Sequence, residues 1–138
     1  MSDFSLMIID DNADDRFILR RYLKKMKLTE EIFEAGNGKE ALEFLQSYND
    51  GIDKKHPPII LFLDLNMPIM DGFEFLKEYN KFRENGDAFK SVVIMTYSSS
   101  ERPEDIEKCQ SYEFVKNHIV KGEFEIESLR AKITESLP

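Results

Sequence analysis

The stretch that decides the reading is "IILFLDLNMPIMDG", Ile59 to Gly72. An unbroken apolar run, Ile59 to Leu63, ends on Asp64, and the chain then turns polar through Asn66, Pro68 and Asp71. A short continuous apolar run is the pattern of a strand covered on both faces, as in a parallel sheet. A carboxylate at the end of such a strand is costly near a core unless something pairs with it. Asp64 is therefore either a plain strand-end cap or the group that the strand exists to present.

Working outward, short apolar runs alternate with longer amphipathic stretches. "SLMIID" (5–10) reads as a strand, and "NADDRFILRRYLKKMK" (12–27) as a helix with Asn12 as N-cap, acids in its first turn and lysines in its last. Leu19, Leu23 and Met26 recur on it at helical spacing. A weaker strand (30–35) precedes a helix over 37–48, with Asn37 as candidate cap and Glu40 three residues on. The polar stretch 49–58, which contains His56, reads as a loop. The central strand over 58–64 leads to a helix over 71–84, where Asp71 and Glu74 stand at capping-box spacing. "ENGDAFK" (84–90) reads as a turn before the strand "SVVIMT" (91–96). A short helix follows over 103–112, with Pro103 in its first turn, where the missing N–H does no harm. "HIVK" (118–121) reads as the fifth strand and 123–137 as the last helix. Five β-α units in succession predict an α/β fold: a five-stranded parallel sheet with five helices on both faces, joined by right-handed crossovers. The whole of 1–138 reads as one domain, with no linker leading to a second, output domain.

Composition narrows the function. The 138 residues are 41% hydrophobic, enough for a substantial core. The net charge is −8, from 27 acidic and 19 basic residues, which argues against nucleic acid and points to proteins or cations as partners. The single cysteine, Cys109, has no partner for an internal disulfide and reads as a small core hydrophobe in a reducing compartment. The first residues lack a signal peptide's basic start and cleavage site, and no apolar run is long enough to cross a bilayer. The expectation is a cytoplasmic protein with no membrane insertion.

In a parallel α/β sheet the working site lies outside the carboxyl ends of the strands. Strand one ends in Asp10-Asp11, strand three in Asp64, strand four in Thr96 and strand five in Lys121. Three carboxylates brought to one edge repel strongly unless a cation joins them. Oxygen ligands with open positions suit Mg²⁺, usually held by one or two carboxylates together with a phosphate. Lys121 and Thr96 are suited to phosphoryl oxygens, and an aspartate can itself act as nucleophile and form an acyl phosphate.

With these residues in place, the sequence resembles a response-regulator receiver domain of two-component signalling over essentially its whole length. The likeness rests on "IIDDN", "LFLDLNMPIMDG", "VVIMTYSSS" and "HIVKG", in family order and spacing. It implies a flavodoxin-like fold with Asp64 as phosphoacceptor. It further implies Mg²⁺ held by Asp10, Asp11, Asp64 and the backbone carbonyl of Asn66, with Thr96 and Lys121 on the phosphoryl group. The implied partners are a sensor histidine kinase or phosphotransfer protein and a downstream protein target, the role being a switch or a relay rather than a turnover enzyme. Homodimerisation stays open. The loop before strand three and "TYSSSERPEDI" after strand four are similar to small receivers that partner phytochrome-type histidine kinases.

Two positions depart from the family pattern. Its lysine is normally followed by proline, whereas Lys121 precedes Gly122. Lys116, in "FVKN", is thereby a rival, and Lys121 is preferred because "HIVK" supplies the strand and Lys116 falls in the turn before it. The family's switching aromatic is replaced by His118, read here as a packing or contact residue that responds to the switch. Asn66, Tyr97 and Ser98 flank the acceptor and are expected to tune loss of the phosphoryl group. Tyr97 either lies over the site as a shield or swings out to solvent or a partner. The competing function is an aspartyl-phosphate hydrolase of haloacid-dehalogenase type. Such enzymes need a second acid two residues after the nucleophile, and here that residue is Asn66, which does not titrate.

Overall fold

The computed structural model describes residues 4–29, 31–49, 57–84 and 89–137. His56, most of the 49–58 loop and the middle of the 84–90 turn lie outside the described residues. The elements alternate strictly: β1 (Leu6–Ile9), α1 (Ala13–Lys25), β2 (Ile32–Ala35), α2 (Gly38–Asn49), β3 (Ile60–Leu63), α3 (Gly72–Glu84), β4 (Val93–Ser98), α4 (Pro103–Gln110), β5 (Val115–Val120) and α5 (Ile126–Ser136). All strand pairs are parallel, in the order β2-β1-β3-β4-β5. The direction of winding reverses at β1, so the carboxyl ends of β1 and β3 flank the switch point where a crevice opens.

Strand alternation divides the core between the two faces. Met7, Ile9, Leu61, Leu63 and Ile94 pack with Ala41 and Leu45 of α2, Phe75, Leu76 and Tyr79 of α3, and Cys109 of α4. Leu6, Ile8, Ile60, Phe62, Met95 and Tyr97 pack with Leu19 and Leu23 of α1 and with Leu129 and Ile133 of α5. Burial on both faces is why β1 and β3 carry no polar residue.

The helix starts follow from local chemistry. Asn12 Oδ1 accepts the Asp15 N–H at 3.0 Å, and Asn37 Oδ1 accepts that of Glu40 at 2.9 Å. Asp71 and Glu74 form a reciprocal box: the Glu74 N–H donates to Asp71 at 2.9 Å, and the Asp71 N–H donates to Glu74 at 3.4 Å. Gly72 is needed for closeness, since a Cβ there would stand 2.6 Å from the Asp64 carbonyl oxygen. The "DG" ending the opening stretch thus seats α3 directly against the end of β3.

Of the boundaries that differ from the sequence reading, two bear on the site. β4 runs two residues past Thr96, because Tyr97 and Ser98 keep pairing with Ile119 and Val120 of β5. β5 starts at Val115, so Lys116 lies within the strand and not in a turn before it. The register passes from Ile94↔Val115 to Met95↔Asn117, leaving Lys116 as the extra residue of a bulge with its side chain exposed.

Candidate functional site

Two backbone hydrogen bonds extend the sheet by one residue at the switch point. The Asp10 N–H donates to the Ala35 carbonyl at 3.0 Å and the Asp64 N–H to the Ile9 carbonyl at 2.9 Å, so both aspartates are fixed as strand continuations. Asp10 and Asp64 are buried, Asp11 is exposed, and the three offer carboxylate oxygens within 4.8 Å of one another. Asp10 Oδ1 accepts the Asn12 N–H at 2.9 Å. Its other oxygen, Oδ2, is buried and lies 2.7 Å from Lys121 Nζ, an ion pair by distance whose alignment gives it no hydrogen bond. A buried carboxylate oxygen without a hydrogen bond, beside two further carboxylates, is the donor set expected of a hard cation, so the residues fit Mg²⁺.

Lys121, directly after β5, has its N–H bound to the Ser98 carbonyl at 2.9 Å. This backbone bond aims the ammonium into the acidic group, 2.9 Å from Asp15 Oδ2 and 3.5 Å from Asp64 Oδ2. Gly122 follows at φ +77°, a left-handed conformation that glycine adopts without penalty, and no peptide bond among the described residues is cis. Lys121, and not Lys116, therefore reaches the carboxylates.

The electrostatics follow from burial. Asp64 has its pKa pushed up to about 7, by burial first and the Asp10 charge second, while Lys121 and the Asn66 N–H pull it down. Burial alone would lower the Lys121 pKa, but its short contacts with Asp10 and Asp15 and the charges of Asp64 and Asp10 hold it above the usual lysine range.

Thr96 pairs in register with Leu63, beside the end of β3, and with His118 on the other side. Its hydroxyl lies 2.6 Å from His118 Nδ1 and 3.3 Å from the Asn117 carbonyl. His118 Nε2 reaches the Ser100 carbonyl at 2.8 Å. A carbonyl only accepts, so Nε2 carries the proton, and in the neutral ring Nδ1 accepts the Thr96 hydroxyl hydrogen. His118 thereby bridges the threonine to the loop that enters α4.

The residues expected to flank the acceptor separate. Asn66 is exposed and its N–H faces the Asp64 carboxylate. Ser98 is fully buried, its hydroxyl accepting the Ser100 N–H at 3.1 Å. Tyr97 neither covers the site nor turns to solvent. Its place on β4 points the ring into the α1/α5 core, edge-on to Phe124, with Lys121 Nζ 5.4 Å from the ring centre. Burial, with the nearby Asp15 charge, pushes its hydroxyl up to about 12.

Sequence reasoning missed Asp15, Arg16 and Glu34. Arg16 Nη1 donates to the Asp10 carbonyl at 2.6 Å, and Glu34 on β2 holds both Arg16 at 3.0 Å and Arg20 at 2.8 Å. In sequence Asp15 reads only as a first-turn acid suited to the helix dipole. Its place one turn after Asp11, on the side of α1 that meets the strand ends, is the signal that could have found it.

A family model described as the response regulator receiver domain matches residues 6–134. The chain is 42% identical over 98 residues to the sensor histidine kinase CheAY of Helicobacter pylori, a match covering 71% of this chain and 11% of that protein. It is 25% identical over 138 residues to sporulation initiation phosphotransferase F of Bacillus subtilis, covering 100% of this chain and 97% of the relative. A two component response regulator from Cytophaga hutchinsonii superposes with a TM-score of 0.79 at 23% identity, over 96% of this chain and 95% of that one.

Proposed function

Because the chain belongs to the response regulator receiver domain family, we propose that it accepts a phosphoryl group on Asp64, with Mg²⁺, from a histidine kinase or phosphotransfer protein. The observation that carries this reading is Asp64 itself, buried at the switch-point crevice beside Asp10, with Lys121 3.5 Å from its carboxylate. A phosphohistidine brought to the crevice presents its phosphorus to an Asp64 oxygen. The new P–O bond forms as the P–N bond breaks, and the leaving imidazole takes up a proton. Bound Mg²⁺, held by Asp10, Asp11, Asp64 and the Asn66 carbonyl, would neutralise charge on the transferring group. Lys121 supplies a second positive charge, and Thr96 a hydroxyl donor once it turns from His118.

That turn is the means of switching. When the Thr96 hydroxyl moves to the phosphoryl group, His118 Nδ1 loses its 2.6 Å partner. The loosened ring then frees the Ser100 carbonyl and with it the entry to α4, shifting the population of the α4–β5–α5 surface seen by a downstream protein.

The test is phosphotransfer from labelled histidine kinases or phosphotransfer proteins in Mg²⁺. Label should pass to this chain from at least one donor and should not pass in EDTA. Transfer that proceeds equally in EDTA contradicts the reading.

A further inference from the structure

Lys121 lies among three carboxylates, yet its contacts with them are not equivalent. The contact with Asp10 Oδ2 is short but leaves that oxygen without a hydrogen bond, and Asp64 Oδ2 is further off at 3.5 Å. The aligned hydrogen bond goes to Asp15 Oδ2, at 2.9 Å, on the first turn of α1. Asp15 is not among the oxygens that converge for a cation, which come from Asp10, Asp11 and Asp64. The ammonium thus stands between Asp10 and Asp15 of α1, hydrogen-bonded on the α1 side, with the Tyr97 ring centre 5.4 Å away.

This arrangement solves a competition. An ammonium that moved fully between Asp10 and Asp64 would neutralise them and oppose Mg²⁺ at the same oxygens. A lysine with no anchor of its own would lose its attraction to Asp10 and Asp64 once Mg²⁺ neutralised them. We propose that Asp15 is a positioning residue that holds Lys121 to one side, leaving the Asp10–Asp11–Asp64 position open to Mg²⁺ while keeping the amine beside Asp64. The inference rests on the Mg²⁺-assisted acceptor reading above, and it concerns a residue that the reading does not use.

The test is a double-mutant cycle on Mg²⁺ affinity, measured by titration calorimetry without phosphodonor, for wild type, Asp15→Asn, Lys121→Met and the double variant. The Asn12 cap uses the Asp15 backbone N–H and not its carboxylate, so Asp15→Asn leaves the helix start intact. Should Lys121→Met fail to fold, Lys121→Gln takes its place. Asp15→Asn should weaken Mg²⁺ binding about fivefold when Lys121 is present, a coupling usual for contacting charged groups. With Lys121 replaced, the loss should shrink to about twofold or less, the residual effect of one remote charge. Equal losses in both backgrounds would make Asp15 a mere background charge and overturn the proposal, as would no loss beside Lys121. Coupling without phosphoryl uptake overturns the acceptor reading alone, and uptake without coupling overturns this inference alone.

Discussion

Asp64 is held where an isolated carboxylate is at a disadvantage: buried, beside Asp10, its pKa pushed up from 3.8 to about 7. In the metal-free protein the folded state keeps a proton that the unfolded chain has released. The stability from this group is fully present below pH 3.8 and is lost as pH rises toward 7. Thermal melts in EDTA should therefore fall more steeply between pH 5 and 7.5 for wild type than for Asp64→Asn, which has no proton to lose. Parallel curves would place the raised pKa elsewhere. A second strained residue sits in the same connection: Ile69, β-branched and 75% exposed, at φ +69°. Asparagine tolerates that conformation, and the exposed side chain gives up little packing. Ile69→Asn should stabilise the protein by about 1 kcal/mol, read from the denaturant midpoint. A loss of stability would mean that the Ile69 side chain makes a contact worth more than the strain.

At the scale of elements, the site is assembled by α1 and by the ends of β1, β3, β4 and β5. Arg16 ties α1 to the Asp10 carbonyl, and Lys121 ties the end of β5 to Asp15 of α1. Replacing Lys121 should therefore do more than remove a phosphoryl contact. Lys121→Ala should slow phosphotransfer at least about tenfold, the scale of losing one charged contact in the transition state. Lys116→Ala, on the exposed bulge of β5, should leave it within about twofold, as expected for a surface change away from the chemistry. The reverse ranking would assign the lysine role to Lys116. The sequence favoured Lys121 for a reason only partly right. "HIVK" does lie at the strand's end, but Lys116 belongs to the same strand. β5 is an edge strand whose bulge places polar Lys116, Asn117 and His118 in succession, and no apolar alternation marks its start. β4 extends past its expected end for the opposite reason, since Tyr97 and Ser98 look polar in sequence but are buried.

For the whole molecule, the five β-α units were legible because β1 and β3 are buried on both faces and α1, α2 and α3 start at side-chain caps. The strand-end carboxylates were legible because a parallel sheet sends every strand's end to one edge. What sequence could not supply was side-chain direction. Tyr97 was placed beside the acceptor by its number, whereas strand alternation turns it into the α1/α5 core. Asp15 was read as a helix-dipole acid, and its pairing with Lys121 spans 106 residues of chain. The central claim, that this edge makes Asp64 the phosphoacceptor, can be read from the modified residue itself. After reaction with acetyl phosphate in Mg²⁺, borohydride reduces an aspartyl phosphate to homoserine, and peptide mass spectrometry locates it. The account predicts homoserine at position 64 alone, and none in Asp64→Asn treated alike. Homoserine at position 10 or 11, or undiminished labelling of Asp64→Asn, would contradict it.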